Sequence, residues 1–171
     1  MDREIIDQAL FIPEIYNPEI KPFDDIREQI EMVDRLSFPR TFTKRLGIHT
    51  AWFTNPRNTA VTLSHNGLVT GFSIARPVID IWPEKTSEAD SVNVSLTAVA
   101  PEFQQKGLAK LMLTPLRQAL KSKGYKYWER NLEVENGWAE SFIKFEGDNI
   151  VVMGKPRETE FGLKQYVKSR L

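Results

Sequence analysis

Across residues 23–36 the apolar side chains Ile26, Ile30, Val33 and Leu36 recur every three or four positions, which predicts a helix with one buried stripe. Asp24 and Asp25 stand at its start, where the helix dipole favours negative charge. A second helix is expected over residues 40–53, stopped by Asn55-Pro56. The period then changes to two. Residues 59–64 and 68–78 flank His65-Asn66-Gly67, a strong hairpin turn. Residues 91–99 alternate most clearly, with Val92, Val94, Leu96 and Ala98 on one face and Asn93, Ser95 and Thr97 on the other. The best helical pattern covers residues 107–123, with the stripe Leu108, Leu111, Met112, Leu116 and Leu120 and a stop at Gly124. Pro115 falls inside it and predicts a kink or a local break. A strand over 125–134, a short helix over 136–145 ended by Gly147, and strands over 150–153 and 164–171 follow. An early strand over 9–15 is weakened by Pro13. This order predicts an α/β fold, a mixed sheet of about six to seven strands flanked by about four helices, in one domain over residues 1–171.

Composition narrows the chemistry. With 41% hydrophobic and 27% charged residues in 171, the chain has the make-up of an ordinary globular domain. Its 23 Lys and Arg balance 23 Asp and Glu, so no excess of cations argues for nucleic acid or an anionic membrane as partner. The absence of Cys excludes disulfides, a thiolate nucleophile and Cys-ligated zinc. His49 and His65 lack metal-ligand spacing and are expected on a helix face and in a turn. The opening MDREIIDQAL is not a secretory signal, and no apolar run approaches 18 residues, so a cytoplasmic location is expected.

The informative stretch is Thr97-Ala-Val-Ala-Pro-Glu-Phe-Gln-Gln-Lys-Gly-Leu-Ala-Lys110. A strand runs into a short loop, and a long helix opens near Gly107. The first N–H groups of a helix have no partner within it and carry a partial positive charge, so they attract anions. Gly107 and Ala109 are small enough to let a diphosphate approach that backbone, and Lys106 and Lys110 add cations. Gln105 is expected to need only an ordinary backbone angle.

These residues resemble the signature of the GCN5-related N-acetyltransferase family: a strand, Gln/Arg-x-x-Gly-x-Gly/Ala, then a helix. Gln104-Gln-Lys-Gly-Leu-Ala109 matches it, with Ala98-Val99 and Pro101 at the usual offsets, and Asn136, Ala139 and Gly147 match the family's later Asn-x-x-Ala helix and its Gly. The resemblance implies a cofactor, acetyl-CoA or a related acyl-CoA. Its pantetheine would pair with backbone near Ala98 and Val99, and its diphosphate would sit on Gln104, Gln105, Lys106, Gly107, Leu108, Ala109 and Lys110. Asn136 would lie beside the pantetheine.

Two positions depart from that pattern. Where the family often has a Tyr acid, this chain has Ile143, and where it often has a Glu base, it has Asn93. An amide cannot take a proton but can hold a water. Glu133, Glu135 and Asp80 are then candidate bases and Tyr127 a candidate acid, with Trp52, Phe53, Trp82 and Trp128 candidates to line an acceptor pocket. The implied activity is transfer of acetyl from acetyl-CoA to a primary amine by direct attack, the acceptor being open. The rivals are a catalytically silent acyl-CoA-binding sensor and, more weakly, a nucleic-acid-modifying transferase. A homodimer is left open.

Overall fold

The structure, a computed structural model, describes residues 6–171, so the first half of the opening decapeptide lies outside it. In chain order the elements are β1 (Phe11–Ile15), α1 (Arg27–Ser37), α2 (Ile48–Thr54), β2 (Thr59–His65), β3 (Leu68–Pro77), the single turn α3 (Val78–Ile81) and β4 (Ser91–Val99). Then come α4 (Leu108–Ser122), β5 (Tyr127–Glu133), α5 (Trp138–Glu146), β6 (Ile150–Met153), β7 (Arg157–Thr159) and β8 (Gly162–Arg170). The fold is α/β with a mixed sheet, as the patterning predicts. Among the described residues eight strands stand against the six to seven expected; the three residues of β7 are too few to show an alternation.

The chain divides into two compact units, one running to Ala75 and taking in Leu96–Ala119, the other made of Arg76–Ser95 and Leu120–Leu171. The strands β3 and β4 and the helix α4 each pass from one unit to the other.

In the first unit the strand order is β1-β2-β3-β4. Pro13 sits in β1, an edge strand, where a missing N–H costs no ladder bond. Asn66 and Gly67 take φ of 52° and 79°, the turn that the hairpin signal predicts. The core is aromatic. Phe23 stacks on Phe53 at 5.1 Å between centroids, Phe53 meets Phe72 edge-on at 5.8 Å, and Ile26, Ile30 and Val33 pack around them. Leu36, expected in that stripe, is exposed, because α1 ends at Ser37, one residue on.

The helix expected over residues 40–53 is broken in two. A short 3-10 turn, Phe42–Arg45, precedes Gly47 at φ 78°, a left-handed angle that no α-helix interior accommodates. The break sends Arg45 back to α1. There the buried Asp34 accepts bonds from Arg45 Nε at 2.8 Å and Nη2 at 2.5 Å, and its Oδ2 lies 2.7 Å from Nε2 of His49. His49 lies on a helix, as expected, and is a fully buried partner of Asp34. Burial alone would raise the Asp34 carboxyl, but the bonds from Arg45 and His49, with their charge, hold it below its ordinary value of 3.8. A depressed carboxyl contributes stability that is present above the unfolded pKa and is lost as pH falls below about 4. Asp34→Asn leaves the half-buried Arg45 and the buried His49 against an uncharged partner. It is expected to cost about 3 kcal/mol, roughly 6 to 12 °C in Tm for a chain of this size. Thermal melts from pH 7 to pH 3 check this, since the wild type should converge on the variant at the acid end.

Pro115 does not break α4, which runs unbroken from Leu108 to Ser122. Proline costs about 3 kcal/mol within a helix. Leu108, Met112 and Leu113 before it and Leu116 and Leu120 after it are all buried, and each contributes roughly 1.5 to 3 kcal/mol. Packing on both sides outweighs the lost bond.

In the second unit the order is β4-β5-β8-β6, with β7 also on β8. The strands β4 and β5 are parallel, and β8 runs antiparallel to β5 across its whole length. One face is closed by α5: Trp128 lies 6.0 Å from Phe142, and its Nε1 donates to Glu146 Oε2 at 3.2 Å. Arg130 lies over the Phe142 ring at 4.7 Å, and burial, opposed by Glu146, brings its guanidinium down to about 10.

Candidate functional site

The stretch from β4 to α4 folds as its residue types dictate. Pro101–Phe103 makes one 3-10 turn, started by the fixed φ of Pro101. Gln104 then reaches back, donating through Nε2 to the carbonyl of Val99 at 2.8 Å. Gly107 takes φ 77° and α4 begins at the next residue. Gln105 also takes a positive φ, 60°, where an ordinary angle was expected. Two left-handed residues around Lys106 turn the chain sharply, and turns of this kind can present successive N–H groups to an anion. A Cβ added at Gly107 would lie 3.1 Å from Gln8 Nε2 and would need a disfavoured φ, so this cradle depends on glycine. The residues therefore fit a diphosphate.

Just upstream, the ladder settles what the end of β4 can offer. A Cβ on Gly71 of β3 would stand 3.0 Å from the carbonyl oxygen of Ala98, so this carbonyl faces β3. The Ala98–Val99 peptide that carries it is trans, which turns the Val99 N–H the opposite way. The Val99 carbonyl already accepts from Ser37 Oγ at 2.9 Å as well as from Gln104. Of the two residues expected to meet a pantetheine, Val99 offers its N–H, while the Ala98 carbonyl is turned to β3.

The catalytic candidates lie in the second unit, and the structure does not bring them all together. Tyr127 opens β5 opposite Ser91, and Glu133 closes it opposite Lys164, so six residues, about 20 Å, separate them. Glu133 accepts from Lys164 Nζ at 2.9 Å and from Asn136 Nδ2. Asn136 also accepts from the Trp138 N–H at 3.1 Å, so both ends of its amide fix the turn into α5. Tyr127 lies under Lys168, whose Nζ stands 5.2 Å from the ring centroid and donates to Glu88 at 2.9 Å. Ile143 sits half-buried within α5. Asp80 and Glu135 are exposed. Phe53 and Trp128 belong to the cores, and Trp82 is covered by Lys85 at 4.6 Å.

Asn93 is buried and accepts from Ser95 Oγ at 2.9 Å. Directly across from it on β5 stands Glu129, 2% exposed, a carboxylate that sequence reasoning passed over. Tyr166 reaches diagonally from β8 and donates its phenol to Glu129 at 2.6 Å. Burial, then the bond to Glu129 and its charge, push that phenol well above its ordinary value. Tyr166 thus stays a donor at neutral pH. The period-two row Tyr127, Glu129, Asn131, Glu133 was the signal available in the sequence. Burial does not follow that alternation, since Glu129 is buried, Tyr127 and Glu133 are half-buried and Asn131 is exposed. What covers a strand face comes from distant elements. The same holds for β4, whose polar residues Asn93 and Thr97 are buried. Among the described residues no cluster of His, Asp and Glu could hold a metal ion, and no helix is long and apolar enough to cross a membrane.

A strand that runs into a loop with two left-handed residues and then a long helix is the order that the sequence resemblance implies. The model of the acetyltransferase (GNAT) family matches residues 23–145, and the chain belongs to that family. Among curated proteins none matches the sequence. Solved structures share the fold at low identity. Aminoglycoside 6'-acetyltransferase type Ii superposes with a TM-score of 0.71 at 14% identity, over 93% of this chain and 96% of that one. The ribosomal-protein-S18-alanine N-acetyltransferase from Escherichia coli gives 0.60 at 17%, over 94% and 92%. The PaiA N-acetyltransferase from Thermoplasma acidophilum, in complex with coenzyme A, gives 0.66 at 13%, over 94% and 99%.

Proposed function

We propose that this chain transfers an acetyl group from acetyl-CoA to a primary amine by direct attack. The observation that carries the reading is the loop at residues 104–110, where Gln105 and Gly107 are both left-handed and lead into α4. Backbone from Gln104 through Lys110 would hold the diphosphate, with the lysines Lys106 and Lys110 as cations, and the Val99 N–H would meet the acyl end. The thioester supplies an activated carbonyl with a thiolate leaving group.

In this reading the neutral amine forms the new C–N bond as the C–S bond breaks and passes its second proton to the departing thiolate. Its first proton, given up by the acceptor ammonium before attack, needs a base. Glu129 is the group assigned to take that proton, with Asn93 opposite it able to hold a relaying water. Tyr166 acts as a positioning residue by fixing the Glu129 carboxylate. Glu133, Tyr127 and Asn136 are given structural duties instead, since each is engaged by Lys164, Lys168 or the α5 turn. A buried carboxylate beside Asn93 speaks against the base half of the case for a catalytically silent binder, which rests on Ile143 and Asn93 standing where the usual acid and base would be.

Thiol release from acetyl-CoA, followed with a panel of amines, tests the reading. Aminoglycosides, polyamines and a peptide with an N-terminal alanine make a suitable panel, the first and last being acceptors named for the neighbours. Amine-dependent release together with an acetylated product of the expected mass is the predicted outcome. Tight acetyl-CoA binding without release to any amine would return the protein to the class of sensors.

A further inference from the structure

The residues ahead of β1 lie outside the stretch that the family model matches, yet they grip the cradle loop. Gln8 donates through Nε2 to the carbonyl of Lys106 at 3.0 Å. The peptide joining Lys106 to Gly107 is trans and planar, so its C=O and N–H point in opposite directions. Turning the carbonyl to Gln8 therefore turns the Gly107 N–H to the other side of the loop. This peptide is the one most in need of a restraint. Glycine is equally at ease at positive and negative φ, so rotation of the Lys106–Gly107 peptide meets little resistance from Gly107 itself. Gln105, at φ 60°, is a side-chain-bearing residue in a region that costs roughly 1 to 2 kcal/mol, and that cost favours relaxation of the loop.

The gripping segment is itself anchored. Asp7 caps its 3-10 turn by accepting from the Ala9 N–H at 3.0 Å. Three residues after Gln8, the buried Phe11 stacks on His65 at 4.5 Å and meets Phe103 edge-on at 5.1 Å. Phe103 belongs to the 3-10 turn that feeds the loop. The N-terminal segment thus holds the loop at two points, through an aromatic contact before it and a hydrogen bond within it.

We infer that Gln8 is a positioning residue for donor binding: by clamping the Lys106–Gly107 peptide, it keeps the Gly107 N–H turned toward the diphosphate of the acyl donor. This rests on the acyl-CoA reading above. Two donors separate a clamp on the diphosphate site from a general structural role. Acetyl-CoA carries the diphosphate and S-acetylpantetheine lacks it. Binding of acetyl-CoA to the full chain is measured by calorimetry, and binding of S-acetylpantetheine by NMR titration, which reads millimolar affinities.

Gln8→Ala should weaken acetyl-CoA about tenfold, the size of one hydrogen bond, and leave S-acetylpantetheine unchanged. Gln8→Glu should weaken acetyl-CoA further, because a carboxylate repels both the Lys106 carbonyl and the phosphates. The Gly107 amide resonance should move in both variants before any ligand is added. Equal acetyl-CoA affinity in wild type and Gln8→Ala overturns the clamp alone, as do equal losses for the two donors. If the wild type itself fails to bind acetyl-CoA, the functional reading falls and the clamp falls with it.

Discussion

Gly107→Glu abolishes the stabilisation of this protein by acetyl-CoA. In the wild type, acetyl-CoA at about 100 times its dissociation constant adds roughly 2.7 kcal/mol. For a chain of 171 residues this raises Tm by about 5 to 11 °C. The substitution acts in three ways. Any side chain at φ 77° costs roughly 1 to 2 kcal/mol, which shows in the ligand-free melt. Its Cβ arrives 3.1 Å from Gln8 Nε2, so the clamp must shift. Its carboxylate then meets the phosphates in the one place where the backbone is arranged to receive negative charge. Gly107→Ala carries only the first two costs and should keep part of the ligand-induced shift. Melts of the three proteins, with and without acetyl-CoA, therefore separate strain from charge. A full ligand-induced shift in Gly107→Glu would remove the cradle from the account of this protein.

The strength of that prediction reflects how legible the loop is in the sequence. Gly107, Pro101 and the Leu108-to-Leu120 stripe are local signals, each decided by backbone sterics or helix period, and they stand where the patterning puts them, save that the expected Leu111 is half-buried and Leu113 is buried instead. The hairpin at Asn66-Gly67 is legible for the same reason. What sequence patterning misjudges depends on distant partners. Pro115 reads as a break, because periodicity counts the lost hydrogen bond and omits the buried residues on both sides. Gly47 reads as tolerable within a helix until Arg45 is seen turned back to Asp34, across 11 positions of sequence. Gln105 offers no local signal for a left-handed angle; a tether from Gln8, 98 residues away from Lys106, helps to hold the neighbouring peptide. The candidate site divides along the same line. The loop proposed to hold phosphate is a continuous motif, whereas the proposed base is defined by a register, Asn93 against Glu129, and by a diagonal bond from Tyr166 across 37 positions.

That register carries the second large expected effect. Glu129→Gln preserves the volume of the side chain and an oxygen to accept the Tyr166 phenol, so the fold is retained while the proton acceptor is lost. General base catalysis contributes about 10² to 10⁴ in rate. The variant should lose kcat by that order, with KM for acetyl-CoA unchanged, because the donor-binding loop is untouched. Tyr166→Phe keeps the carboxylate but frees it to turn, and a loss of about tenfold, one hydrogen bond, is expected. Glu133→Gln breaks only a part-exposed pair with Lys164, side chains 34% and 16% exposed, and should change kcat little. The pH profile distinguishes a missing base from a disturbed site. A lysine-like amine has a pKa near 10.4, so as pH climbs toward that value a growing share of acceptor arrives already deprotonated. The deficit of Glu129→Gln should shrink with rising pH, while a deficit caused by misplaced groups should not. A variant that kept more than about a third of wild-type kcat at neutral pH, against the loss expected of a missing base, would show that Glu129 is held by Tyr166 for packing alone.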